Sequence, residues 1–132
     1  MAVDNQQLSQ VVMMLSEQID EQTDEAILRA YINRSYYVIY HECKNHLETY
    51  HTQYNLSDSG TFKTGTHNRI YLSFEEIGKQ HKIAYKIALK FKDFLNKRHQ
   101  ADYRLTDTVN YMDYKQCQGH FETIPRLLNE LI

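Results

Sequence analysis

The sequence predicts an all-α fold, an up-and-down bundle of four to five helices, and three observations carry that prediction. Apolar residues recur at spacings of three and four in five separate segments. One proline and four glycines are too few for a turn-rich β-sandwich, and no stretch alternates apolar with polar residues as a half-buried strand would. A chain of 132 residues reads as one domain, 1–132, long enough for a continuous core and too short for two. Its 42% hydrophobic and 24% charged residues are those of an ordinary globular protein rather than a disordered one.

The first helix is expected over about residues 5–19, where Leu8, Val11, Val12, Leu15 and Ile19 hold helical spacing. "DEQTDEA" then interrupts, and Thr23 or Asp24 can cap a second helix whose first turn is acidic. That helix runs to about residue 50. It is apolar on two adjacent stripes, Ile27/Tyr31/Arg34/Val38/His41 and Leu28/Ile32/Tyr36/Ile39/Cys43, and a helix wet on only one side belongs at the centre of a bundle. "HTQYNLSDSGTFKTGT", residues 51–66, has no sustained period and reads as a long flexible loop. A short helix is expected at about 67–78, with Ile70, Phe74 and Ile77 inward and Gly78 ending it. From about 80 to 98, Ile83, Ile87, Phe91, Phe94 and Leu95 form the apolar face of a fourth helix. "RHQADYRLTDT" breaks the pattern, and Thr106 or Asp107 is expected to cap a last helix. Its stripe, Tyr114, Cys117, Phe121, Ile124, Leu128 and Leu131, continues through Pro125, which is expected to kink it near Phe121.

Charge is unevenly spread. Residues 1–28 hold six acidic residues and no lysine or arginine, whereas residues 79–104 hold eight basic residues against Asp93 and Asp102. The basic block is either a solvated face, partly attracted to the acidic one, or a wall for a phosphate-bearing ligand. No run approaches the roughly 20 apolar residues of a membrane span. The start "MAVDNQQLSQ" lacks the basic and apolar regions of a signal peptide, so a cytoplasmic location and no membrane partner are expected. Cys43 and Cys117 read as reduced, mostly buried thiols, and the eleven tyrosines as packing residues whose hydroxyls reach polar partners.

Within "RSYYVIYH", Arg34 and His41 are two turns apart on one helix face, separated by about 10 Å along the axis. A charged group on an apolar stripe must be paired or open onto a cleft. The structural alternative pairs Arg34 with Glu42 or Asp102 and leaves His41 in the core. His41, Cys43 and His46 do not make a metal site, because offsets of two and five point them in different directions on a helix. No metal or other cofactor is expected, and there is neither a Gly-rich phosphate loop nor a nucleophile elbow. His67, at the start of the short helix, is the one remaining histidine worth inspecting.

"RSYYVIYHECKNHL" resembles the signature of the HEPN superfamily (higher eukaryotes and prokaryotes nucleotide-binding), an arginine, four to six residues and a histidine, here Arg34, residues 35–40 and His41. One branch places paired aromatics after the arginine and another before the histidine, matched by Tyr36, Tyr37 and Tyr40. The same branch often has an arginine and an "ADY"-like element late in its basic helix, matched by Arg98 and residues 101–103. The resemblance covers about residues 24–131. It implies a HEPN-like bundle of four to five helices, dimerising so that the motif helices of two chains face each other, and in many members metal-independent RNA cleavage.

The chemistry suits those residue types. A histidine serves as general base or acid near neutral pH, and a guanidinium holds phosphate oxygens in a fork. Arg34 and His41 are therefore the catalytic candidates, as phosphate clamp and proton carrier, with two copies of each around one scissile phosphate at a homodimer interface. The implied products carry a 2′,3′-cyclic phosphate and a 5′-hydroxyl. Asn33, Ser35 and Tyr37 are secondary candidates, and Lys90, Lys97 and Arg98 are candidates to guide the RNA backbone, although Arg98 is also placed to pair with Asp102. The expected function is a ribonuclease of toxin or antiviral-defence type. Its alternative is a non-catalytic binding or regulatory module partnering a nucleotidyltransferase, an antitoxin or another defence protein.

Overall fold

The computed structural model describes residues 4–57, 62 and 64–132. Five helices follow one another, α1 (Asn5–Glu17), α2 (Glu25–Tyr50), α3 (Thr66–Ile77), α4 (Lys82–Tyr103) and α5 (Tyr111–Glu130), and no strand occurs among the described residues. The fold is an all-α bundle, as its periodicities require. No helix among the described residues is long and apolar enough to cross a membrane.

Helix α2 packs against all four others. Its stripe Leu28/Ile32/Tyr36/Ile39/Cys43 is wholly buried. Tyr36 lies among Phe91 and Phe94 of α4, with ring centroids 5.7 and 5.6 Å away. Ile70, Phe74 and Ile77 of α3 and Tyr114, Cys117 and Ile124 of α5 close the core. Burial of so many aromatic and branched side chains supplies the driving force for folding, about 1.5–3 kcal/mol for each large apolar side chain.

The other expected stripe on α2 divides. At about 100° per residue, His41, Arg34 and Ile27 lie at about −40°, −20° and 0°, and Val38 and Tyr31 at about +20° and +40°. Val38 and Tyr31 are buried under α1, whereas Ile27, Arg34 and His41 are exposed. The edge of the buried arc runs through the stripe, so the polar pair stands beside the core rather than in it. The stripe expected over residues 5–19 divides in the same way: Val12 in α1 and Ile19 just after it are buried, while Leu8 and Val11 face out.

Helix α1 starts at a reciprocal cap, Asp4 accepting the Gln7 N–H at 2.8 Å and donating its own N–H to Gln7 Oε1 at 2.9 Å. Near its other end, Ser16 Oγ lies 2.7 Å from the Tyr114 hydroxyl and accepts from Gln118 Nε2 at 3.0 Å, which joins α1 to α5 by polar bonds. Asp24 precedes α2 without a side-chain cap, and the Thr23 hydroxyl turns to Asp20 instead.

Two boundaries differ from expectation. Helix α4 continues through "RHQADY" to Tyr103, because Leu95, Arg98 and Ala101 extend its inner stripe. The cap of α5 is Asn110, paired reciprocally with Asp113, rather than Thr106 or Asp107. The segment before it is held by Glu25, which accepts the Val109 N–H at 2.8 Å, and α5 then runs unbroken through Pro125. Gly78 does follow α3, but with φ −62° it is not a left-handed cap. A Cβ there would lie 2.8 Å from the Tyr85 Cα, so glycine is required by the close approach of α4. Of the expected loop 51–66, residues 58–61 and 63 lie outside the described residues; the described residues before Thr66 carry no helix or strand.

Candidate functional site

Three of the arginines near the core are bonded into the fold. Arg29 spans from α2 to the end of α4, donating to the carbonyls of Gln100 at 3.1 Å and Ala101 at 3.0 Å, and also to those of Arg104 and Asp107. Arg69 is buried and donates to the Leu56 carbonyl at 2.8 Å. Arg98 is only 7% exposed, its Nε 2.9 Å from Asp102 Oδ2 and its Nη2 2.5 Å from the Tyr37 hydroxyl. Arg34 differs from all three. It is exposed, and among the described residues it has no hydrogen bond or ion pair. Pairing with Glu42 or Asp102 does not occur; Asp102 instead takes Arg98 and the Asn33 amide, the latter at 2.8 Å.

His41 is likewise exposed rather than a core histidine. Its ring stands edge-on to Tyr40 with centroids 5.1 Å apart, at a surface groove shared with Asn5, Leu8, Lys44 and Glu48. Cys43 and His46, by contrast, are buried, so these three side chains diverge as the helical offsets require.

Behind Arg34 and His41 lies a polar aromatic layer. The Tyr40 ring is 4.5 Å from that of His67, and the Tyr36 hydroxyl is 2.6 Å from His67 Nδ1. Burial pushes the Tyr36 hydroxyl well above the usual tyrosine range despite Arg98 nearby, so it remains a donor. Burial, with help from Arg98 and His99, holds His67 below the ordinary histidine value. Both groups are therefore uncharged near neutral pH, and where Tyr36 donates to Nδ1 the imidazole carries its proton on Nε2. Arg98 completes the layer, its guanidinium carbon 5.1 Å from the Tyr37 ring centre and 5.3 Å from that of Tyr103.

The remaining sequence candidates fall into different places. Ser35 is fully buried and donates to the Ile32 carbonyl at 3.3 Å, which removes it from any ligand. Asn33 and Tyr37 serve the Asp102–Arg98 pair. Lys97 is bridged to Asp113 at 3.1 Å, and Lys90 lies in a groove with Lys86, Thr123 and Arg126, against α5. Sequence reasoning singled out His67 only by its position, and it counted Lys92 and Arg104 in the basic block without naming them as site residues; both line a cleft beside His67.

No family model, curated protein or solved structure matches the chain.

Proposed function

We propose that the protein is a metal-independent endoribonuclease of toxin or antiviral-defence type that cleaves RNA at a composite site, with Arg34 and His41 contributed by each of two copies. One observation carries this reading: Arg34 and His41 share one exposed strip of α2 and Arg34 has no polar partner among the described residues, while the neighbouring arginines are tied into the fold. A free guanidinium and an accessible imidazole on one face are the groups that phosphate binding and proton transfer need.

In this reading a single copy has half a site. Across a two-fold axis one His41 removes the ribose 2′-proton and the other protonates the leaving 5′-oxygen, while the two Arg34 guanidiniums hold the non-bridging oxygens of the phosphate. The apolar surroundings favour that contact. Leu8 is 36% exposed, Val11 50% and Ile27 41%, an apolar rim on α1 and α2 beside the polar strip.

The test is cleavage of an end-labelled RNA pool by wild type, Arg34→Ala and His41→Ala, with and without EDTA. The expected result is EDTA-resistant cleavage leaving 2′,3′-cyclic phosphate ends, reduced at least about a hundredfold in each variant while circular dichroism stays unchanged. Undiminished cleavage by both variants removes the mechanism. No cleavage by wild type, alongside a stable complex with a nucleotidyltransferase or another defence protein, assigns the same pair to a non-catalytic regulatory module.

A further inference from the structure

A cleft of about 690 Å³ lies between the start of α3 and the outer face of α4. That size is typical of small-ligand sites. Its lining includes Lys92, Lys97, Arg98 and Arg104 against the single carboxylate of Asp93. Not all of these charges are free. Lys97 is neutralised by Asp113, and Asp93 is bonded to His120 at 2.7 Å. Among the described residues Lys92 reaches only neutral partners, Asn68 Oδ1 at 3.4 Å and the Tyr71 ring at 4.9 Å. Arg104 is exposed, and its guanidinium has no acceptor among the described residues. Two positive charges are left facing the cleft without a counter-ion among the described residues.

Donors surround them. His67 lines the cleft and, with Nδ1 engaged by Tyr36, has Nε2 as its free ring nitrogen, an N–H donor in the tautomer in which Tyr36 donates to Nδ1. Gly65 and Asn68 also line it, at the first turn of a twelve-residue helix that no side chain caps, where backbone N–H groups attract anions. Arg98 is more than nine-tenths buried yet reaches the same cleft. No hydrogen bond engages its Nη1 among the described residues, and its Nε contacts Asp102 as an ion pair without an aligned hydrogen bond. A buried guanidinium with spare donors, a neutral imidazole N–H and uncompensated cations describe a receptor for an oxyanion.

We propose that this cleft is a phosphate-ester site separate from the Arg34/His41 pair, with Lys92, Arg98, Arg104 and His67 Nε2–H as its donors. The ester is either the monoester of a free nucleotide or a diester of an RNA strand running past the α2 strip; the site itself stands whether or not Arg34 and His41 cleave anything.

Two uncleavable probes test it on the full chain, AMP for the monoester and a 2′-O-methyl hexanucleotide without terminal phosphates for the diester. Binding is followed by ¹⁵N–¹H NMR and calorimetry with wild type and Lys92→Gln/Arg104→Gln, which retains Arg98 and the buried layer. The expected result is saturable perturbation of the Gly65, His67 and Asn68 amides by at least one probe, and at least about tenfold weaker binding by the double variant. If the strand is the ligand, the double variant also lowers the salt dependence, by about 0.7 per cation removed. Preference for AMP or for the hexanucleotide names the source of the phosphate. Binding of neither probe, equal affinity in the double variant, or perturbations confined to the neighbourhood of Arg34 and His41 overturns the proposal. Because neither probe is cut, failure here is distinct from failure of RNA cleavage.

Discussion

At residue 78 the protein needs the absence of a side chain. The Tyr85 backbone N and Cα lie 2.9 and 2.8 Å from where a Cβ would stand, so Gly78→Ala is expected to lower stability by about 1–3 kcal/mol through overpacking, read as a lower urea midpoint at unchanged m-value. A midpoint equal to wild type would show that α3 and α4 separate freely there. Arg98 is constrained from the opposite direction, by what it holds. Its removal in Arg98→Met leaves Asp102 half-stranded and the Tyr37 hydroxyl without its donor, an expected loss of about 3 kcal/mol, measured in the same way. The demand at Gly78 was not legible in the sequence; the four-residue spacing did offer Asp102 to Arg98, but not the burial of that pair or its bond to Tyr37. Gly78 looked like a helix stop because glycine so often is one, and Arg98 looked like surface because it follows Lys97 in a basic segment. The Tyr85 backbone against Gly78 and the Tyr37 hydroxyl against Arg98 come from other helices or turns, which only tertiary structure supplies.

The elements were more legible than their ends. Helical spacing located all five helices, because a buried stripe repeats over many residues and survives one exception. Ends depend on single side chains, and α4 overran its expected end because a buried ion pair resembles solvent-facing charge. Arg29 now explains that end: its guanidinium satisfies the last carbonyls of α4, which have no helical partners. The junction of α2 with α3 and α4 is expected to give stability a pH dependence. His46 is buried, His51 half-buried, their rings 5.4 Å apart, and both Nε2 atoms are buried without a partner among the described residues. Burial first, and then His51 for His46 and His81 for His51, holds both below the ordinary histidine value. The unfolded chain therefore takes up protons more readily than the folded one. Stability is expected to be full above the ordinary pKa of about 6.5 and to decline as pH falls below it. Melting temperature against pH should show this limb, and His46→Leu should flatten it; a variant with the wild-type slope would place the dependence elsewhere.

Taken whole, the molecule keeps its polar pair just outside the buried arc of α2, a displacement of a few tens of degrees that periodicity alone does not resolve. The pair could be found in the sequence, and its exposure could not, since that depends on which flank of α2 receives α1. Self-association is the matching prediction. Light scattering should give a mass near twice the 15.8 kDa of the chain, and Val11→Glu/Ile27→Glu should return it to a monomer and abolish RNA cleavage with Arg34 and His41 intact. A dimer that survives both charges, or cleavage by the monomer, rules out the composite site. Helix α1 itself contributes one buried residue, Val12, and owes much of its attachment to the Ser16, Tyr114 and Gln118 hydrogen bonds. Amide hydrogen exchange should therefore be fastest in α1 and slowest along the inner face of α2. The helix that flanks Arg34 and His41 is then the first part of the bundle to open.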